Sequence, residues 1–413
     1  MPTPYDLAKE RYAALGVDTE QAILELSGVP ISLHCWQGDD VAGFEAGAGP
    51  LGGGLAVTGD YPGKARTPDE LRQDLRKALD LIPGNHRLNL HAMYGEFGGA
   101  KVDRDAIEPA HFQGWIEWCR SLSIGFDFNP TCFSHHLASS GFTLSHANED
   151  VRDFWIEHCR RCREIGAHAA SALDSQSIVN VWVPDGMKDT PADRRGPRER
   201  LCESLDAVFE EPYDNILDAV ESKLFGIGSE SYVAGSHEFY LSYAVSRGKL
   251  LCLDTGHFHP TESVADKVSA CMTFLDELFL HVSRGLHWDS DHVVVLNDDL
   301  LALSREVVAN GYLDRVHFGL DYFDASINRV AAWVVGARAL QQALLIALLE
   351  PTALLQGHES KGDFTSRLAM QERLKSLPWG PVWDELCSRN NAPLEGTWMN
   401  EIKDYETRVQ SNR

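Results

Sequence analysis

Two short segments in the second half of the chain combine carboxylate and imidazole side chains with almost no positive charge. They are residues 253–259 and 287–292, and each follows an apolar run typical of a β-strand. Asp289 and Asp291 are two residues apart, so an extended backbone points both side chains the same way. Crowded carboxylates repel one another, and a site that keeps several of them usually binds a cation. Ligation by many oxygens and one or two imidazoles suits Mn²⁺, Mg²⁺ or Co²⁺ better than a thiolate-rich zinc site does.

The apolar runs before these segments belong to a longer series of predicted strands. The runs are residues 29–36, 87–93, 125–130, 178–184, 218–223, 249–254, 278–283 and 315–321. Most end in a turn rich in Gly, Pro or polar residues, and helical periodicity follows. Eight strand–helix units predict a closed (β/α)₈ barrel, a TIM barrel of the α/β class. An open doubly wound sheet is the alternative, but residues 37–40 lack its phosphate-binding glycine pattern.

Helical segments are expected on both sides of the barrel. An N-terminal helical prelude runs from Tyr5 to about Leu26. Residues 1–350 are predicted to form the catalytic barrel domain, this prelude included. Residues 351–413 are polar with helical periodicity and are predicted to form a C-terminal helical extension that makes oligomer contacts.

Composition excludes several classes of partner. The chain has 413 residues, of which 44% are hydrophobic and 24% charged, and its formal net charge is −24. Such an acidic surface repels nucleic acid and anionic lipid, so neither is an expected partner, whereas a neutral small molecule is not excluded. The apolar stretch 334–349 contains Arg338, Gln341 and Gln342, which indicates a buried helix and not a membrane span.

Cysteine usage and the start of the chain indicate a cytoplasmic protein. The nine cysteines are scattered and odd in number, which fits a reducing compartment, and no signal peptide is visible at the N-terminus. Cys159 and Cys162 form the one Cys-x-x-Cys pair. The segment 151–165 looks helical and no second pair complements it, so these two cysteines are interpreted as structural.

The ends of the late strands carry most of the candidate ligands. In a barrel, residues at the carboxyl ends of the strands meet above one mouth. The carboxylates and imidazoles expected there are Glu221, Asp254, His257, His281, Asp289, Asp291 and Asp321. A single Asp after a strand is more often a helix cap, as we interpret Asp324. Seven such side chains that meet at the same end of the barrel predict a metal centre.

Seven ligands are too many for one ion and suit two ions that share a carboxylate. Asp254 lies between the other candidates in the sequence, so it is expected to be the bridge. Two ions can clamp adjacent oxygens and polarise a carbonyl. The first site would consist of Glu221, Asp254, His281 and Asp321, and the second of Asp254, His257, Asp289 and Asp291.

Other residues at strand ends are candidates for chemistry on a sugar. Lys223 shares a strand face with Glu221 and is expected to stabilise a developing alkoxide, the alternative being a salt bridge to a ligand carboxylate. His91 is a candidate acid and base for opening a sugar ring. Trp36 and Trp182 are candidate walls of the sugar pocket, although ordinary packing explains each of them as well.

With these residues in view, the chain resembles the L-rhamnose isomerase family almost from end to end. The earlier matching motifs are residues 34–40 (HCWQGDD), 61–66 (YPGKAR), 128–130 (FNP), 141–147 (GFTLSHA) and 184–189 (PDGMKD). The later ones are residues 221–228 (ESKLFGIG), 256–262 (GHFHPTE), 288–292 (WDSDH) and 321–329 (DYFDASINR). The segments 221–228 and 256–262 are the most specific.

The resemblance implies a (β/α)₈ barrel that forms a cytoplasmic homotetramer and converts L-rhamnose to L-rhamnulose. It implies two divalent ions per subunit, Mn²⁺ being preferred and Co²⁺, Mg²⁺ or Zn²⁺ possible. The family pattern assigns a catalytic ion to His257, Asp289 and Asp291. It assigns a structural, substrate-binding ion to Glu221, Asp254, His281 and Asp321.

The expected mechanism and its rivals remain open at this point. The hypothesis is a hydride shift from C2 to C1 of the open-chain sugar. A metal-bound water, or Asp321 through water, takes the O2 proton, and Lys223 and the cations carry the developing charge. A cis-enediol route is the rival mechanism. A metal-dependent hydrolase built on His257 and His259 is a rival function, but such a pair usually lies on the first strand, which offers only His34. A nuclease is disfavoured by the net charge of −24, and a non-enzymatic sugar-binding role leaves the seven ligands unexplained.

Overall fold

Eight parallel strands close into a barrel, which confirms the predicted (β/α)₈ fold. The structure is a computed structural model that describes residues 1–45, 51, 55–224, 231–287 and 289–413, apart from the side chains of residues 289 and 290. The order of strands around the barrel is β1-β2-β3-β4-β6-β8-β9-β12, and β12 pairs with β1 to close it. In chain order the strands are β1 (Ile31–His34), β2 (Arg87–His91), β3 (Gly125–Asn129), β4 (Ser177–Trp182), β5 (Gly186–Met187), β6 (Ile216–Glu221), β7 (Tyr232–Val233), β8 (Leu250–Asp254), β9 (Leu278–Val282), β10 (Arg284–Leu286), β11 (Asp289–His292) and β12 (Val316–Leu320).

Every predicted apolar run contains or overlaps one barrel strand. The clearest difference is at β4, which the prediction extended to Pro184 and which ends at Trp182. Proline has no N–H for the ladder, so a strand inside a sheet tends to end before it. The four remaining strands form two antiparallel pairs outside the barrel, β5 with β7 and β10 with β11.

Helices surround the barrel and continue past its last strand. In chain order they are α1 (Pro4–Ala13), α2 (Thr19–Ser27), α3 (Pro68–Leu79), α4 (Gln113–Leu122), α5 (Glu149–Leu173), α6 (Gly196–Val208), α7 (His237–Arg247), α8 (Ala265–Met272), α9 (Asp298–Ala309), α10 (Arg329–Leu348), α11 (Thr352–Ser360), α12 (Phe364–Leu374), α13 (Trp379–Arg389) and α14 (Trp398–Arg408). The predicted prelude is two helices, because Gly16 takes a positive φ of 78° and Asp18 caps the start of α2.

Within the described part of the chain, α10 alone has the length and apolar composition of a membrane span. It is nevertheless a core helix, since 83% of its apolar window is buried inside the protein. Its buried polar side chains bond to the backbone of neighbouring segments: Gln341 donates to the carbonyl of Pro83 at 2.6 Å, and Arg338 donates to the carbonyl of Leu81 at 2.9 Å. The prediction of a buried helix at 334–349 is therefore confirmed.

Side-chain alternation along the strands positions the polar residues above an apolar floor. Ile178, Ala219, Cys252 and Phe279 pack together inside the barrel. Side chains two residues further along a strand point to the same side, so Glu221 lies above Ala219 and His281 above Phe279. The same alternation places Asp254 above Cys252. On this side of the barrel the carboxyl end is therefore polar and the layer beneath it apolar.

Candidate metal centre

Four of the predicted ligands converge at the carboxyl end of the barrel. Glu221 ends β6, Asp254 ends β8, His281 lies in β9 and Asp321 follows β12. One donor atom from each of the four lies within 4.8 Å of the donor atoms of the others. The strand register explains part of this meeting, because Asp254 lies directly opposite His281 in the β8–β9 pair.

Contacts inside this cluster are close but are not hydrogen bonds. His281 Nδ1 lies 3.0 Å from Glu221 Oε2 and 3.2 Å from Asp321 Oδ2. His257 Nδ1 lies 3.3 Å from Glu221 Oε1. Glu221 Oε1 and both of these imidazole nitrogens are buried without a hydrogen-bond partner among the described residues. Buried polar atoms without partners are costly, and donor atoms that face one another in this way fit a shared cation.

The proton affinities of the cluster also indicate a site for positive charge. Burial on its own lowers the pKa of His257, but the charges of Asp254 and Glu221 outweigh it and raise that pKa to about 10. The pKa of His281 is raised well above its usual value in spite of burial, chiefly by Cys252 and Glu221. The carboxylates therefore draw protons onto the imidazoles, and a bound metal ion would satisfy the same negative charge.

Cys252 is a further donor at the floor of the cluster. It is grouped in space with Glu221 and His281 and was not among the predicted ligands. Burial is the main reason that its pKa lies well above the usual range for a thiol. A thiol that keeps its proton is a poor ligand, so the oxygen-rich set that includes Asp254 and Asp321 is the better metal site.

Neighbouring groups hold two of the carboxylates in place. Asp254 Oδ1 accepts from the hydroxyl of Ser283 at 2.8 Å and from the backbone N–H of Gly256 at 2.7 Å. Trp36 donates its indole N–H to Asp321 Oδ1 at 3.0 Å. Trp36, predicted as a pocket wall, thus also orients a candidate ligand. Such outer contacts fix the direction in which ligands present their lone pairs.

The structure locates some of the predicted ligands of the second site but not all of them. His257 contacts Glu221, as described above, and Asp291 lines the same cavity as His257, His281 and Asp321. The side chain of Asp289 lies outside the described residues. The partition into two sites therefore stays a prediction, as does the bridging role of Asp254.

Four ring-bearing side chains form an aromatic wall in the cavity that the cluster lines. The rings of Trp36 and His91 have centroids 4.6 Å apart, His91 and Phe133 are 5.6 Å apart, and Phe133 and Trp182 are 6.1 Å apart. All four residues line the cavity that contains Glu221 and Asp321. Burial lowers the pKa of His91 to about 4, so its imidazole is neutral near pH 7. A neutral imidazole can accept a proton at one nitrogen while it donates at the other.

Lys223 lies beside this wall, on the side of His257. Its ammonium group donates to the carbonyl of Pro184 at 3.1 Å and lies 5.7 Å from the centroid of the Trp182 ring. Lys223 and His257 line one continuous cavity together with Trp182. The prediction that Asp324 caps a helix is wrong: Asn328 caps α10, and Asp324 Oδ1 accepts from the backbone N–H of Ser326 at 2.7 Å in the turn before it.

Several residues of the site were missed at the sequence level. Asn180 donates to Glu221 Oε2, Phe133 completes the aromatic wall, and Ser283 holds Asp254. Asn180 had a detectable signal, since it lies two residues before Trp182 on a predicted strand and therefore on the same face. Ser283 had the same signal, since it lies two residues after His281 in the predicted run 278–283, whereas Phe133 lies beyond a strand end, where a pattern of period two no longer predicts direction.

The fold and the site define a class of protein, a (β/α)₈ barrel whose mouth carries a candidate metal centre beside an aromatic cavity. The model of the L-rhamnose isomerase (RhaA) family matches residues 1–413, and the chain belongs to that family. It is 58% identical over 411 residues to an L-rhamnose isomerase from Rhodopirellula baltica, a match that covers 99% of this chain and 96% of the relative. It is 55% identical over 411 residues to an L-rhamnose isomerase from Klebsiella pneumoniae, a match that covers 99% of this chain and 98% of that relative.

Among solved structures, the chain is similar to a D-allulose 3-epimerase from Methylomonas sp. The sequence identity is 12% and the TM-score 0.48, and the match covers 76% of this chain and 98% of the other. The assignment of the fold rests on the strand pairing of this chain itself.

Proposed function

We propose that the protein interconverts L-rhamnose and L-rhamnulose with the help of two divalent metal ions per subunit, preferably Mn²⁺. The observation that carries the proposal is the convergence of Glu221, Asp254, His281 and Asp321 at the mouth of the barrel, in a chain of this family. Carboxylate oxygens with one imidazole suit Mn²⁺, Mg²⁺ and Co²⁺, and Zn²⁺ remains a chemical alternative.

In the proposed arrangement, Glu221, Asp254, His281 and Asp321 hold the ion that binds the substrate. Asp254, His257, Asp289 and Asp291 hold the catalytic ion. The buried nitrogens of His257 and His281, which have no hydrogen-bond partner among the described residues, support their roles as ligands. When bound, the ions polarise the carbonyl and the neighbouring hydroxyl of the open-chain sugar.

Aromatic residues that line the same cavity receive the sugar. Trp36 and Trp182 cover its C–H faces, because flat apolar rings pack well against such patches. His91 opens the ring: it takes the proton of the anomeric hydroxyl and delivers a proton to the ring oxygen. The neutral state of His91 near pH 7 supports this role.

The isomerisation then moves one hydrogen between adjacent carbons. Asp321, through a water molecule, accepts the proton of the C2 hydroxyl, and the C2–O bond becomes a carbonyl. The hydrogen on C2 moves with its electron pair to C1, so the C1 carbonyl becomes an alkoxide. Lys223 stabilises the negative charge on O1, and a proton from the solvent restores the hydroxyl there.

An experiment in deuterated water tests both the function and the route. The protein is incubated with L-rhamnose and Mn²⁺ in D₂O, and the product is followed by NMR. We expect L-rhamnulose with no deuterium on C1, because the hydrogen never exchanges with solvent. Deuterium at C1 would instead establish an enediol route, and the absence of any ketose in the presence of bound Mn²⁺ would overturn the proposed function.

We also propose a cytoplasmic homotetramer in which residues 351–413 make subunit contacts, next to a catalytic domain of residues 1–350. Two observations on the extension support contact with a neighbour. No residue of α11 is buried within the subunit, and Leu374 is the one buried residue of α12. Phe364 and Leu368 on α12 are 56% and 58% exposed, which is unusual for large apolar side chains on one short helix.

A further inference from the structure

Asn180 is a buried amide at the edge of the candidate metal centre that neither the sequence motifs nor the proposed mechanism uses. It lies in β4 with 2% of its surface exposed. Its side chain lines the cavity that also contains Glu221, His257 and Asp321. An asparagine at such a position has two polar ends to satisfy, so its contacts indicate its role.

The amide nitrogen of Asn180 donates to Glu221 Oε2, and this contact crosses from β4 to β6. In the register of that strand pair, Trp182 lies opposite Glu221 and Asn180 lies opposite Ala219. The hydrogen bond therefore runs diagonally between the strands, because Glu221 lies two residues beyond the direct partner of Asn180. A carboxylate can only accept, so the orientation of the amide group is chemically fixed.

This contact makes the two oxygens of Glu221 different. Oε2 accepts from Asn180 and lies 3.0 Å from His281 Nδ1. Oε1 has no hydrogen-bond partner among the described residues and lies 3.3 Å from His257 Nδ1. The last torsion of a Glu side chain is broad and roughly two-fold, so a free carboxylate would rotate between several presentations. The hydrogen bond from Asn180 to one oxygen restricts the carboxylate to one orientation.

We propose that Asn180 is a positioning residue for Glu221 and fixes the plane in which this carboxylate presents its lone pairs to the metal ion. The inference rests on the proposed metal site, but it concerns binding and not turnover. Partners that orient metal ligands in this way typically contribute about 10- to 100-fold to metal affinity.

The test measures Mn²⁺ binding by calorimetry on metal-free protein for Asn180→Leu and for a matched control, Asn129→Leu. Asn129 is 4% exposed, lines the same cavity and donates its amide to Asn89 Oδ1 at 2.8 Å, away from the ligands. Both substitutions remove one buried amide hydrogen bond at similar volume. A melting curve in chelator confirms that each variant folds, and Asn180→Ala replaces Asn180→Leu if the larger side chain does not fit.

We expect Asn180→Leu to weaken Mn²⁺ binding about 10- to 100-fold, whereas Asn129→Leu stays within about threefold of the parent protein. Equal affinities in Asn180→Leu and the parent, or equal losses in both variants, would overturn the inference. If the parent binds Mn²⁺ but converts no L-rhamnose, the proposed function falls and the comparison of the variants still decides the role of Asn180. If the parent binds no Mn²⁺, the metal site and this inference fall together.

Discussion

Glu221→Gln is expected to lower kcat/KM for L-rhamnose about 1,000-fold while the protein remains folded. Glu221 is a proposed ligand whose two oxygens lie 3.3 Å from His257 Nδ1 and 3.0 Å from His281 Nδ1, so its charge faces a proposed ligand of each ion. The substitution keeps the size of the side chain but removes its charge. A loss of about 4 kcal/mol of charge stabilisation in the transition state corresponds to a factor of about 1,000 in rate. Steady-state kinetics with a circular dichroism spectrum of the variant measure the effect.

Glu277→Gln is the matched control for that variant. Glu277 also contacts an imidazole, with Oε2 2.6 Å from His317 Nε2, but it directly precedes β9 and so lies at the opposite end of the barrel from the site. We expect its kcat/KM to stay within about twofold of the parent, because exposed pairs of this kind contribute about 1 kcal/mol or less to stability. If Glu221→Gln kept more than a tenth of the parental activity, Glu221 would not be a metal ligand.

Lys223→Met is expected to lower kcat by about 100- to 1,000-fold, the usual cost of removing a group that stabilises a developing oxyanion. The affinity for Mn²⁺ should be unchanged or slightly higher, because the substitution removes a positive charge beside the cations. The combination of a lower kcat with intact metal binding separates a role in charge stabilisation from a role in building the site. Stopped-assay kinetics and calorimetry on the same preparation provide both values.

Lys249→Met controls for the loss of a half-buried lysine. Lys249 Nζ lies 4.6 Å from the centroid of the Phe209 ring, as Lys223 lies beside the Trp182 ring, and 2.7 Å from Asp218 Oδ2. It precedes β8 at the end of the barrel away from the site. We expect a lower melting temperature with kcat close to that of the parent. A value of kcat within threefold of the parent for Lys223→Met would contradict the assigned role of Lys223.

The barrel was predictable because each of its strands has a recognisable pattern in the local sequence. Apolar runs followed by turn residues recur along the chain, and the polar residues at their ends were expected at one rim. The direction of Glu221 and His281 followed from the same patterns, since inward and outward positions alternate along a strand. Extended backbone at Asp289 and Asp291 was also expected and is present as β11, although its pairing with β10 was not predicted.

Contacts between elements could not be read from such patterns. Asn180 reaches Glu221 because of the register between β4 and β6, and Trp36 reaches Asp321 across an interval of 285 residues. These contacts depend on how strands pair and how loops after the strands turn, which a local pattern does not specify. The division of the prelude into α1 and α2 could have been predicted, because a glycine (Gly16) and a helix-capping residue (Asp18) stand between the two helices in the sequence.

The most direct test of the account is the formation of ketose from L-rhamnose by metal-free protein, before and after Mn²⁺ is added. We predict no detectable L-rhamnulose while a chelator is present and full activity when Mn²⁺ is restored in excess of the chelator. The chelated protein should remain folded, because its large apolar core contains none of the proposed metal ligands. Undiminished conversion by protein shown to contain no metal would contradict the central claim that the carboxylates and imidazoles at the mouth of the barrel work by holding metal ions.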